Sequence, residues 1–299
     1  MASSRRVGVA AGIILVTVPA CLAAMAPLAL TATSPDRSAA ARAAGWLAAE
    51  EPGAMSAGQQ ADVMVAMRIT GTAPKALAPR LAALAKAAPG YATEAGRTAK
   101  VVLGVVAAGG NPRRLGGTDY VGRLQSQQSS PGRYGHTAFD QGLAMLALRA
   151  ATGRVPAGAA TTLTGLASSD GWNFGLDAAA APDIDSTALS VVALSAAGTP
   201  CSATAIRRAR AWIATQRTGT GWTAYPGSLP SANSTALVAR SNIACGSSAA
   251  GPLALIRSLQ QRSGAITFTR AQPENRLLAT GESVPPLAGV SLAKGFRPG

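Results

Sequence analysis

The chain has 299 residues, 48% of them hydrophobic and only 13% charged, with a net charge of +14. A disordered chain needs low hydrophobicity and high charge, so disorder is excluded, and the scarcity of aromatics and of alternating β-branched residues excludes a large sheet. The basic residues are scattered rather than gathered in one run. They suit a solvated face that keeps an alanine-rich protein soluble, or an anionic envelope surface, and give no signature of nucleic acid.

The N-terminus reads as a targeting segment. "MASSRR" is a positive n-region and "VGVAAGIILVTV" an apolar run of signal-peptide length. Apolar character continues to Leu30, so residues 1–34 are expected to be a signal peptide or an N-terminal membrane anchor. "VPAC" places Cys21 where a lipobox would carry lipid. Residues 35–299 then form the folded domain, in an extracytoplasmic setting, secreted or attached to the cell envelope.

Along that domain one phrase recurs. It is "RAAGWLAAEEPGAM" (42–55), "RLAALAKAAPGY" (80–91), "YVGRLQSQQSSPGRY" (120–134), "LTGLASSDGW" (163–172), "RARAWIATQRTGTGW" (208–222) and "ALIRSLQQRSGA" (254–265). Gln128 and Gln216 are 88 residues apart, as are Tyr134 and Trp222, which is two periods of 44. That spacing belongs to two-helix repeats. Each phrase is followed by a small, apolar segment that closes with glycine, and these segments predict helices near 59–70, 96–108, 138–151, 185–197 and 234–245. The last, in "RAQPENRLLATGESVPPLAG", should be shortened by its prolines. The first helix of each pair carries a polar stripe and the second is apolar on all sides, so the first should face water and the second be buried.

The expected fold is therefore all-α, six outer helices around six inner ones. "WIATQRTGTGW", "RLQSQQSSPGRYG" and "DGWNFGLDAAAAPDIDSTALSVVAL" resemble the repeats of the squalene cyclase and protein prenyltransferase superfamily, the α/α toroids, over about residues 40 to 299. A more distant similarity is to barrels of the intrinsic factor and transcobalamin type. The resemblance implies a six-repeat α/α toroid and leaves the activity open.

Class II terpene cyclases of that superfamily protonate an alkene with Asp-x-Asp-Asp. Here Asp183-Ile184-Asp185-Ser186 lacks the last carboxylate, so Asp183 and Asp185 are the catalytic pair only if the protein is an enzyme. The competing reading makes Asp185 an N-cap, with Asn233 in the same slot one repeat later. Protein prenyltransferases use Asp, Cys and His to bind zinc. His136 lies in a turn, and Cys201 and Cys245 are not in a ligand context, so neither metal nor cofactor is expected. The two cysteines are one period apart, in corresponding turns, and a disulfide between them would suit an oxidising compartment.

In a toroid the starts of the inner helices converge on one rim. That rim would carry Tyr134, His136, Asp140, Trp172 and Phe174, followed by Asp183, Asp185, Trp222, Tyr225, Asn233 and Phe268. An apolar bowl behind such a mouth is an ordinary ligand site. The expected function is a non-catalytic domain that binds a small apolar or amphipathic ligand, isoprenoid or corrinoid-like. The alternatives are a terpene cyclase or prenyltransferase acting on an isoprenoid, and a structural or partner-binding envelope protein.

Overall fold

The computed structural model describes residues 1–2 and 33–296. The signal or anchor segment and the lipidation site Cys21 lie outside the described residues. The described residues form twelve α-helices and a single two-stranded sheet. The odd-numbered helices are α1 (Ser34–Ala49), α3 (Ala78–Tyr91), α5 (Tyr120–Ser126), α7 (Ala157–Gly165), α9 (Thr204–Thr215) and α11 (Ala250–Ser258). The even-numbered ones are α2 (Ala57–Ile69), α4 (Ala95–Ala107), α6 (Ala138–Thr152), α8 (Ile184–Ala196), α10 (Ala232–Ala244) and α12 (Arg276–Leu287). Strands β1 (Gln128–Ser130) and β2 (Arg133–Tyr134) pair antiparallel, Gln128 opposite Tyr134.

Each even-numbered helix packs against the next, and α12 packs back against α2, so the six close into a ring. The odd-numbered helices lie against them from outside. Burial follows the sequence pattern: α9 buries only Ile206, Ala209 and Ile213, one stripe at helical spacing, whereas α8 is buried on nearly every side. The expected inner helices agree with the observed ones to within about two residues. The exception is α12, which runs twelve residues, one fewer than α2. Its Pro285 and Pro286 fall in the final turn, where each removes one backbone hydrogen bond to the turn before, and the helix ends one residue after them.

One polar contact recurs in the turns that enter α6, α8, α10 and α12. The Thr187 hydroxyl accepts from Trp172 N–H at 3.0 Å and donates to Trp172 C=O at 2.8 Å. Thr235 makes the same pair with Trp222, and Thr280 with Ile266. In α6 the place is taken by Gln141, whose side-chain oxygen accepts from Tyr134 N–H at 2.7 Å. Each tryptophan then donates its indole N–H to an outer helix, Trp172 to Leu163 C=O and Trp222 to Ile213 C=O, both at 2.7 Å. The glycine before the tryptophan is a steric requirement: a Cβ on Gly171 would lie 2.6 Å from Thr187 Oγ1, and one on Gly221 2.1 Å from Leu255.

Two further links close the structure. At the seam between the first and last repeats, Gln260 donates to Ala39 C=O at 2.9 Å, and Arg257 pairs with Asp36. The Cys201–Cys245 disulfide joins the α8–α9 and α10–α11 connections, with Cα atoms 5.6 Å apart, a separation ordinary for a disulfide. Among the described residues no helix is long and apolar enough to cross a membrane.

Candidate functional site

All six inner helices start at the same end of the ring, the mouth, where each odd-numbered helix turns into the even-numbered one that follows. Thr137 and Asp140 form a capping box on α6, and Asp140 also accepts from Gly96 N–H of α4 at 3.0 Å. This carboxylate is consumed in joining neighbouring helix starts. On α8 the cap is Asp183, whose Oδ1 accepts from Ser186 N–H at 2.8 Å, and on α10 it is Ser231.

That corrects the expected capping role of Asp185 and Asn233. They do occupy one slot in successive repeats, but it is the second residue of the helix, not the cap. The helix begins earlier because Asp183 N–H is already held by Trp172 C=O at 3.0 Å. Both Asp185 Oδ1 and Asn233 Oδ1 are buried and have no hydrogen-bond partner among the described residues. Burial pushes the Asp185 carboxyl up to about 6; the Ser234 hydroxyl opposes this, and the charges of Asp183 and Glu282 add to it.

Below the mouth the ring encloses charge. Lys100 of α4 lies 2.7 Å from Asp62 of α2, and Arg240 of α10 lies 3.1 Å from Glu282 of α12. Burial works against the ammonium of Lys100, but Asp62 and Glu282 outweigh it and hold that group above its ordinary range. Burial lowers Arg240, with Glu282 and Asp62 opposing, and its Nη2 is buried without a partner. The cavity these four share with Leu103, Leu143 and Leu292 has a volume of about 40 Å³, room for a water or two. The apolar bowl is thus replaced by a narrow, charged lumen. Its far end is closed by the C-terminal segment: Val290, Leu292 and Ala293 are buried, and Ser291 C=O accepts from Arg240 Nε.

The expected rim residues separate into two groups. Tyr134, Trp172 and Trp222 are buried in the repeat turns. Phe174 and Tyr225 are exposed, as is His136, and Phe174 packs at 6.2 Å against Phe139. Tyr225 and Phe268 line a groove of about 410 Å³ together with Thr223, Ser228, Leu229 and Gln272. A neighbouring groove of about 390 Å³ includes Asp183, Trp212, Arg217 and Pro226. Among the described residues no three His, Cys, Asp or Glu side chains gather as a metal site.

Sequence reasoning missed Asp62, Lys100, Arg240 and Glu282. The available signal was a charged residue in the middle of each of four otherwise small and apolar segments, away from the ends where Arg68, Arg97 and Arg276 stand. Asp62 and Lys100 even stand at the same step, six residues after the caps Ser56 and Glu94.

No family model matches the chain, and no curated protein matches it. Among solved structures, a glycosidase variant in complex with glucose is similar at a TM-score of 0.46 and 17% identity, over 69% of this chain and 69% of that one.

Proposed function

We infer that the chain is a six-repeat α/α toroid of the squalene cyclase and protein prenyltransferase kind, working outside the cytoplasm as a binding domain. It takes an amphipathic ligand at the mouth and turns nothing over. The observation that carries this reading is the pair Asp185 and Asn233. One buried oxygen of each, Oδ1 of Asp185 and Oδ1 of Asn233 on adjacent helices, has no partner even though the Ser234 hydroxyl reaches the Asp185 carboxyl, and an unmet buried acceptor costs about 1 to 3 kcal/mol until a donor reaches it. A ligand with amide or hydroxyl donors supplies that need, as the amide-fringed ring of a corrinoid would and a bare hydrocarbon would not. The groove at Tyr225, Leu229 and Phe268 offers its apolar part a surface at the same end. The narrow lumen argues against an isoprenoid chain threaded through the ring.

Acid catalysis is the second reading, favoured by one observation: a carboxyl near 6 keeps much of its proton close to neutrality. Absorption spectra and mass analysis of what co-purifies with the protein, followed by incubation with squalene and geranylgeranyl diphosphate, separate the two. A bound donor-rich ligand, weakened by Asn233→Ala and Asp185→Ala, supports binding. Product formed by the wild type and lost in Asp185→Asn overturns it.

A further inference from the structure

Charge on this protein is sorted by end. Nine of its thirteen carboxylates lie in the connections from outer to inner helices or in the first turn that follows, at the mouth, where they offset the six arginines Arg97, Arg133, Arg217, Arg262, Arg270 and Arg276. The opposite end, where inner helices lead into outer ones, is basic. Lys75 precedes α3, Arg154 follows α6, Arg207 and Arg208 lie in the first turns of α9, and Lys294 follows the C-terminal segment that closes the lumen. All five are exposed, and none is ion-paired with another described residue. The carboxylates toward this end, Asp36 and Asp119, are already neutralised by Arg257 and Arg113.

This is also the end at which the chain enters the ring. The outer helix α1 starts at Ser34 and runs toward the mouth, so Thr33, which follows the apolar sequence from Val7 to Leu30, stands at the basic end. We propose that this end docks on a bilayer surface carrying anionic lipid headgroups, with the mouth directed away from it. Exposed Lys and Arg side chains near an anionic surface each strengthen binding by about fivefold. At the mouth the nine carboxylates outnumber the six arginines and give the same surface nothing to attract, so one charge distribution both draws the protein in and orients it. A ligand then arrives at the mouth from the aqueous side.

The four lysines make the orientation measurable. Lys75 and Lys294 are at the basic end, Lys86 is exposed midway along α3, and Lys100 is in the lumen. The full-length chain is bound to vesicles of phosphatidylcholine alone or with phosphatidylglycerol, then acetylated, and each lysine is quantified by mass spectrometry. The expected result is protection of Lys75 and Lys294 on phosphatidylglycerol vesicles, with Lys86 still reactive and no protection on phosphatidylcholine. Replacing Arg154, Arg207 and Arg208 together by Gln should weaken this binding on the order of 100-fold, about fivefold per charge. Lys75 and Lys294 remaining reactive on bound chain, or Lys86 protected equally, overturns the proposal. Equal protection by soluble polyphosphate also overturns it, because the partner would then be a free polyanion.

Discussion

The ammonium of Lys100 lies 2.7 Å from the carboxylate of Asp62, across the interface between α4 and α2 and inside the closed ring. Neither group can be removed alone without leaving the other desolvated and uncompensated. Lys100→Met should therefore cost roughly 3 kcal/mol. The double change with Asp62→Leu should restore much of that loss. Urea unfolding of the two single variants and the double variant provides the cycle; additive losses would show that the pair does not interact.

Asp185 gives a pH dependence of defined sign. Its folded-state carboxyl is raised from 3.8 to about 6, so between these values the native state holds a proton that the unfolded chain has released. Stability should then fall as pH rises through that window and stay low above it, by roughly 3 kcal/mol in total. Asp185→Asn removes the titrating group. The difference in unfolding free energy between variant and wild type should grow from about pH 4 to pH 6 and then level off. A difference independent of pH would exclude the raised carboxyl.

The cap of α8 is Asp183, and this separates two neighbouring aspartates by experiment. Asp183→Ala should lose about 0.5 to 2 kcal/mol, and Asp183→Asn or Asp183→Ser should lose far less, since both can accept from Ser186 N–H. Asp185→Ala should show no such loss at neutral pH, because its carboxylate caps nothing there. Thermal melts of the four variants at one pH decide it. Equal losses at both positions would restore Asp185 to a capping role.

Breaking Cys201–Cys245 frees a loop of 44 residues. The chain-entropy model puts the loss at about 4 kcal/mol. The Cys201→Ser, Cys245→Ser double variant should unfold at correspondingly lower urea, and dithiothreitol should affect the wild type only. An unchanged midpoint would mean that native-state strain cancels the entropic gain.

The period of 44 made the alternation of helices, their spans and the pairing of the two cysteines readable, because each depends on local pattern. Outer helices declare themselves by one apolar stripe, inner ones by having no polar side, and Gly-Trp marks the turn between them. None of this says which side of an apolar helix meets the centre of the ring. Asp62–Lys100 and Arg240–Glu282 pair across consecutive inner helices, and the two pairs become one cluster only once α12 closes on α2. Likewise "DIDSTAL" contains two residues able to cap a helix, and the choice fell to Asp183 because its backbone N–H is held by Trp172 from the preceding turn. Local propensity determined the repeat. Ring closure, by deciding which faces lose their water, determined where Asp185 and Asn233 stand unpartnered and where the buried charge collects.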